Sequence, residues 1–109
     1  MPSDSLNMDE LSDERRKGIE KSIKPISVDE LKQLGEKLFP YFDHPWRTRF
    51  FEFIAENKDA SFFHATTHDH VHVIYCREKN NGMWFLPESG MGPLQAKGLA
   101  ILKEIAEKK

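Results

Sequence analysis

The chain is 109 residues long, with 39% apolar residues, 31% charged residues and a formal net charge of −2. This length supports one core, so it excludes separate catalytic and binding domains. The near-neutral charge is not typical of nucleic-acid-binding proteins, which concentrate lysine and arginine against phosphates. Because no apolar run approaches the roughly 20 residues that cross a bilayer, we expect a soluble protein that uses neither nucleic acid nor a membrane.

The single cysteine bears on the compartment in which the protein works. Cys76 has no second cysteine to pair with, so the fold does not depend on an internal disulfide. We therefore predict a cytoplasmic protein. Cys76 is expected to be a small buried residue of a strand rather than a reactive thiol.

Residues 1–24 form a polar leader with a thin apolar stripe. The apolar residues are Leu6, Met8, Leu11, Ile19 and Ile23. Arg15 and Gly18 interrupt the stripe, so a helix here would be marginal or would depend on docking. We predict a mobile or loosely docked leader, followed by a single α+β domain over residues 25–109.

The clearest helix start lies at Ser27. Ser27 and Glu30 satisfy the capping-box pattern, in which each side chain binds the backbone N–H of the other residue. Pro40 ends this helix because its ring excludes the helical conformation at the preceding residue. Three leucines share one helical face: Leu31, Leu34 and Leu38.

A second helix is predicted to begin near Asp43-His44-Pro45, where a proline in the first turn is harmless. Apolar residues then recur at helical spacing and predict the buried face. They are Trp46, Phe50, Phe53 and Ile54, with Asn57 following in line. Two antiparallel helices joined by a short aromatic turn are the simplest arrangement.

The pattern changes from helical to extended in the middle of the chain. Residues 61–66 and 71–77 are rich in β-forming side chains, with a polar stretch between them. Asn81-Gly82 predicts a two-residue type I′ turn that joins the second strand to residues 83–86. Together these segments predict a three-stranded antiparallel meander.

The last helix is predicted to begin at Pro93, after a loop over residues 88–92. Its buried face consists of Leu94, Gly98, Ile101, Leu102 and Ile105. The predicted order is α-α-β-β-β-α, with the helices, including the C-terminal one, packed on one sheet face. A core of this size only just offsets the ordering cost of the chain, so we expect a monomer or a homodimer.

The most suggestive chemistry is a group of four histidines, namely His64, His68, His70 and His72. Alternation along a strand would place His68, His70 and His72 on one side. Neutral imidazoles are ligands for a borderline metal such as Zn²⁺, and a turn or bulge would let the three converge on one ion. Asp69 or Asp43 would add a carboxylate. The alternative is a polar hairpin tip whose imidazoles face water.

The segment from His68 to Ile74 also resembles the signature of the histidine-triad nucleotide hydrolases and transferases. In that signature three alternating histidines are followed by two apolar residues, and here the segment reads His-Asp-His-Val-His-Val-Ile. The resemblance implies that His70 is the nucleophile that takes up the nucleotidyl group. It also implies that His68 and His72 orient His70 and assist the leaving group.

A second candidate site is the glycine-containing segment that precedes the last helix. Ser89, Gly90 and Gly92 would let an anion approach free backbone amides at the helix N-terminus. Against this, Glu88 would repel a phosphate and Pro93 lacks a donor. The alternative is a tight connection in which both glycines adopt unusual backbone angles.

The aromatic pair Trp84 and Phe85 predicts a surface for a protein partner, because aromatic residues dominate interface hot spots. No complete catalytic constellation stands out, and Ser89 lacks the context of a hydrolase nucleophile. We therefore expect a small binding or regulatory module rather than an enzyme. A metal-binding protein and a histidine-triad-like nucleotide hydrolase or transferase are the alternatives.

Overall fold

The structure, a computed structural model, describes residues 13–86 and 90–108. These residues form the following helices and strands: α1 (Asp13–Ser22), β1 (Lys24–Ile26), α2 (Val28–Leu38), α3 (Pro45–Glu56), β2 (Phe62–Thr66), β3 (His72–Cys76), β4 (Asn81–Leu86), β5 (Gly90–Pro93) and α4 (Ala96–Glu107). No helix within the described ranges is long and apolar enough to cross a membrane.

The strands form one antiparallel sheet in the order β1-β2-β3-β4-β5. This confirms the predicted α+β class and the antiparallel meander at the centre of the sheet. The prediction of three strands is wrong, because β1 and β5 extend the meander at its two edges. Neither edge strand has a β-type composition: β1 contains Pro25, and β5 has the sequence Gly-Met-Gly-Pro. Prolines at these positions suit edge strands, whose outer N–H groups have no ladder partner.

Helices cover both faces of the sheet rather than the single face that we expected. Phe63, Val73 and Tyr75 pack with residues of α1 and α4, whereas Phe62, Ile74 and Cys76 pack with residues of α2 and α3. Every residue from Val73 to Cys76 is buried. A strand covered on both faces has a continuous apolar run, and this run hides the alternation that marks a half-exposed strand. We refer to the two sides of the sheet as the α1/α4 face and the α2/α3 face.

The part of the predicted leader that the structure describes, residues 13–24, packs against the sheet. Ile19 is 0% exposed and Ile23 is 5% exposed, and both belong to the core of the α1/α4 face. The Ser22 hydroxyl also accepts from the Thr66 N–H at 2.8 Å. Docking therefore supplies the stability that the thin apolar stripe of α1 lacks. Residues 1–12 of the predicted leader lie outside the described residues.

The two central helices confirm their predicted signals. α2 has the Ser27–Glu30 capping box and ends one residue before its C-cap Phe39. α3 begins at Pro45, and the Nδ1 atom of the N-cap His44 accepts from the Trp46 N–H at 3.1 Å. The residues Phe50, Phe53 and Ile54 of the predicted stripe are buried.

The β3–β4 hairpin turns earlier than its sequence signal indicates. Residues 77–80 form the turn, Asn80 has a positive φ of 46°, and Cys76 pairs with Asn81. The prediction of a two-residue Asn81-Gly82 turn is therefore wrong, since both residues belong to β4. Gly82 is needed for space instead. A Cβ atom there would lie 2.6 Å from the Ile74 carbonyl oxygen and 2.6 Å from Leu94 Cδ1.

The last helix begins at Ala96, three residues later than predicted, with Gln95 as its N-cap. Leu94 is 4% exposed, although it precedes the helix. Ile101 is only partly buried and packs at the margin of the core. The buried residues of α4 are Gly98, Leu102, Ile105 and Ala106.

We predict that Gly82→Ala destabilises the protein by about 1–3 kcal/mol, because its new methyl group would press on a backbone carbonyl that has little room to shift. Urea unfolding measures this change. Arg77→Ala is the matched control, since Arg77 is an exposed residue of the same hairpin and should change stability by less than about 0.5 kcal/mol. Equal stability of Gly82→Ala and the parent protein would contradict the packing argument.

Candidate functional site

The connection between β2 and β3 separates the histidines that were expected to alternate along one strand. β3 begins at His72, and the preceding residues form a turn in which His70 has a positive φ of 67°. His68 and His70 are exposed in this turn, whereas His72 is half-buried. The alternation of His68, His70 and His72 along one strand is therefore not formed, and the alternative of a polar hairpin tip describes the positions of His68 and His70.

Hydrogen bonds hold this turn together and attach it to α1. The Thr67 hydroxyl donates to Asp69 and accepts from the Val71 N–H at 3.0 Å. The Arg15 guanidinium donates to Asp69 Oδ2 at 2.9 Å. Burial alone would raise the pKa of Asp69, but the hydrogen bonds from Arg15 and Thr67 outweigh burial and lower the pKa to about 2. A bound carboxylate thus closes the turn and joins it to the helix.

His64 and His72 instead form a hydrogen-bonded pair, which we call the histidine pair. His64 Nε2 lies 3.0 Å from His72 Nδ1, and the ring planes differ by 2°. The ring centroids are 5.3 Å apart. With the two nitrogens 3.0 Å apart, the centroids can be this far from each other only if both nitrogens lie on the line that joins the centroids. The rings therefore meet edge to edge in a common plane.

The histidine pair lies at the border of the aromatic core on the α2/α3 face. The His72 ring stacks on Phe85, with centroids 5.0 Å apart and planes 7° apart. Phe85 is fully buried and in turn contacts Phe39 and Phe50. His64 is diagonal to His72 across β2 and β3, because His72 pairs with Thr66 in the strand register. The buried aromatic cluster thus supports the His72 ring of the pair on its core side.

Both imidazoles of the pair remain uncharged at neutral pH. Burial, followed by the nearby His72 and the charge of Lys24, lowers the pKa of His64 to about 4. Burial, followed by the neighbouring His70, also lowers the pKa of His72. In a neutral imidazole one nitrogen is a donor and the other an acceptor. The pair therefore contains one N–H···N hydrogen bond and leaves one donor and one acceptor at its outer nitrogens.

The metal ligands expected at His68, His70 and His72 are not brought together by this geometry. Within residues 13–86 and 90–108, no group of three or more His, Cys, Asp or Glu side chains is placed to hold a metal ion. His68 Nε2 lies 3.3 Å from the Glu14 carboxylate instead. The alternation behind the histidine-triad resemblance is also not formed, since His70 belongs to the turn.

The segment expected to bind an anion is a strand rather than a loop at a helix N-terminus. Gly90 pairs with Leu86 and Gly92 pairs with Trp84 in the sheet, and α4 begins only at Ala96. Ser89 lies outside the described residues. Gly92 has a packing role, because a Cβ atom there would approach the Trp84 ring to 3.0 Å.

Trp84 and Phe85, the residues expected to contact a partner, lie on opposite faces of β4. Phe85 is 0% exposed and belongs to the core of the α2/α3 face. Trp84 is half-buried and packs against the core of the α1/α4 face and against Gly92. Phe85 is therefore a core residue, and Trp84 packs over Gly92 of the edge strand β5.

The exposed aromatic residues lie elsewhere, in the connection between α2 and α3. Tyr41 is 70% exposed and Phe42 is 84% exposed. The Arg47 guanidinium carbon lies 4.6 Å from the Phe42 ring centroid and 5.0 Å from the Phe51 ring centroid. These four residues, Tyr41, Phe42, Arg47 and Phe51, form what we call the aromatic surface. Phe42, Arg47 and Phe51 also line an open groove of about 590 Å³.

Sequence reasoning missed the aromatic surface although its signal was present. Tyr41 and Phe42 stand between Pro40, which ends one helix, and Pro45, which begins the next. A connection this short leaves two adjacent large rings little room to fold back onto the core. Phe51 also falls off the buried stripe of α3, which indicates an outward position.

Comparison of the chain with protein-family models, with curated proteins and with solved structures found no match.

We predict that Asp69→Asn destabilises the protein at pH 7 by about 1 kcal/mol, a moderate value because the carboxylate is more than a third exposed. The pKa of Asp69 is lower in the folded state than its ordinary value of 3.8. The ionised carboxylate therefore contributes its full stability above about pH 4, and this contribution is lost as the pH falls toward 2. Urea unfolding at several pH values measures the difference between Asp69→Asn and the parent protein.

Glu104→Gln is the control for this experiment, because it removes the ion pair of Glu104 with Arg16, another arginine of α1. This pair is more exposed, and its loss should change stability by less than about 0.5 kcal/mol. A difference between Asp69→Asn and the parent protein that does not shrink between pH 4 and pH 2 would contradict the assignment.

Proposed function

We propose that this chain is a non-catalytic binding module that recognises a protein partner through the aromatic surface. The observation that carries the proposal is the exposure of Phe42, which is 84% exposed beside Tyr41 at 70%. Large exposed rings are costly to keep in water, and aromatic residues together with arginine are the most frequent hot spots of protein interfaces.

Three residues of the aromatic surface, Phe42, Arg47 and Phe51, contact one another before any partner binds. Arg47 donates to the Phe39 carbonyl oxygen at 2.6 Å and to the Glu36 carboxylate, so its guanidinium is fixed between α2 and α3. The Arg47 side chain is only 12% exposed. The fixed guanidinium lies against the rings of Phe42 and Phe51 through cation–π contacts. A surface ordered in this way loses little conformational entropy on binding.

The charges around the groove favour a basic partner. Glu36, Arg47 and Glu52 are the charged residues of the groove lining, and because Arg47 and Glu36 pair with each other, the net negative charge of the lining comes from Glu52. The apolar part of the lining includes Phe42, Phe51 and Ala55. We therefore assign as partner a protein segment that carries an apolar side chain next to lysine or arginine, since complementary charge selects partners at interfaces.

The histidine pair supports binding over catalysis. A general base works best when its pKa is near the working pH, and the pKa of His64 at about 4 makes its imidazole a weak base at neutral pH.

Our proposal keeps the cytoplasmic location expected from the single thiol, and Cys76 is 0% exposed in the core.

Binding of defined peptides tests the proposed partner. We expect fluorescently labelled peptides with leucine or phenylalanine between lysines to bind with measurable anisotropy changes, and peptides with glutamates in place of the lysines to bind at least about tenfold more weakly. Phe42→Ala should weaken binding of the basic peptide about 30-fold or more, the loss typical of an interface hot spot.

Lys97→Ala is the control variant, because Lys97 is exposed on α4 and should leave peptide affinity unchanged. Basic peptides that fail to bind, or that bind Phe42→Ala as tightly as the parent protein, would contradict the proposal. Sedimentation of the parent protein tests a second copy as the occupant. A dimer that Phe42→Ala dissociates would show that the aromatic surface pairs with itself instead of with a basic partner.

A further inference from the structure

We propose that the histidine pair is a binding site for a divalent transition metal such as Zn²⁺ or Cu²⁺, held by His64 Nε2 and His72 Nδ1 with water completing the coordination. This site lies apart from the aromatic surface and does not depend on the proposed partner. It also differs from the three-histidine site that the sequence predicts, because it uses His64 and leaves His68 and His70 out.

The separation of the two nitrogens fits two ligands of one metal ion. Metal–nitrogen bonds of about 2.0 Å place two ligands about 2.8 Å apart at a right angle and about 3.3 Å apart at a tetrahedral angle. The observed distance of 3.0 Å lies between these values. The facing lone pairs point at each other, so each ring has to turn by about 40° in its own plane before its lone pair meets an ion about 2.0 Å away beside that line. The separation of the two nitrogens fits an ion, and binding then requires this turn of the rings.

The protonation state of the pair also suits a metal. A ligating nitrogen has to carry a lone pair, and neutral imidazole is the form that binds Zn²⁺ or Cu²⁺. Without a metal, one facing nitrogen holds the proton of the N–H···N bond. On binding, that proton moves to the other nitrogen of the same ring, so both rings stay neutral and both facing nitrogens become ligands. No oxidant, reductant or leaving group takes part.

The surroundings of the pair hold the plane of the His72 ring and leave both imidazoles reachable. Phe85 stacks on His72 from the core side, at a centroid distance of 5.0 Å. Both histidines are half-buried, so water and an ion can reach one side of the pair. Lys24 opposes the site, since it pairs with His64 in the sheet and its charge acts on that imidazole. Removing the Lys24 charge should therefore strengthen metal binding, an effect that follows from the assigned position.

Calorimetric titration with ZnCl₂ and with CuCl₂ tests the site in the full chain. We expect one ion per chain with micromolar affinity, tighter for Cu²⁺ than for Zn²⁺, and no binding of Mg²⁺, which prefers oxygen ligands. His64→Ala and His72→Ala should each weaken binding at least about 10-fold. Lys24→Gln should tighten it about 2- to 5-fold. His68→Ala is the control and should leave the affinity unchanged.

Electron paramagnetic resonance of the Cu²⁺ complex separates loss of a ligand from loss of folding. We expect coupling to two nitrogen ligands in the parent protein and to one in each single-histidine variant. Zn²⁺ should raise the melting temperature of the parent protein by several degrees, but not that of His64→Ala. Failure to bind Cu²⁺, or binding that persists unchanged in both histidine variants, would overturn the proposal. Phe42→Ala should bind metal normally, so this test is independent of the partner test.

Discussion

The whole structure depends on the burial of the central strands from both sides. Val73 and Tyr75 pack under α1 and α4, while Ile74 and Cys76 pack under α2 and α3, so both halves of the core meet on β3, as they also do on its neighbour β2. A half-covered sheet would leave one of these rows in water, at a cost of roughly 25 cal/mol per Å² of apolar area. This constraint explains why α1 is docked although its own stripe is thin: Ile19 and Ile23 complete the cover on the side that α4 alone does not close.

Burial of the sheet on both faces also limits where polar side chains can lie. A polar group inside such a sheet needs a hydrogen-bond partner, because an unpaired buried donor or acceptor costs about 1–3 kcal/mol. Asn57 meets this demand in the core by donating to the Phe53 carbonyl oxygen and accepting from Cys76. His64 and His72 meet it by bonding to each other where the aromatic cluster ends. Their mutual bond thus meets a structural requirement, and it also holds two ring nitrogens 3.0 Å apart.

Local signals in the sequence predicted what local interactions determine, and little more. The Ser27–Glu30 box and the proline at the start of α3 specify their helices from within a few residues, and both are confirmed. β1 and β5 have no such signal, because pairing with β2 and β4 makes them strands despite their glycines and prolines. The prediction of an Asn81-Gly82 turn was wrong because strand pairing, not the local signal, sets where the chain reverses. Cys76 pairs with Asn81, so the turn ends at Asn80, which has the positive φ. Likewise, the His64–His72 contact needs the β2–β3 register, which spacing alone could not supply.

The two proposed surfaces share α2 and α3 as their support, and this has a consequence for how they act. Phe39 contacts both Phe85, on which His72 stacks, and His44, the N-cap of α3. Its carbonyl oxygen receives the Arg47 hydrogen bond that fixes the aromatic surface. Phe39 therefore contacts the support of both surfaces, through its carbonyl oxygen and through its ring. A packed aromatic cluster resists continuous deformation, so a metal at the histidine pair and a partner at the aromatic surface should each find a rigid scaffold. Coupling between them would require Phe39 to have a second packed position, and the close contacts of its ring with His44, Phe50 and Phe85 oppose one.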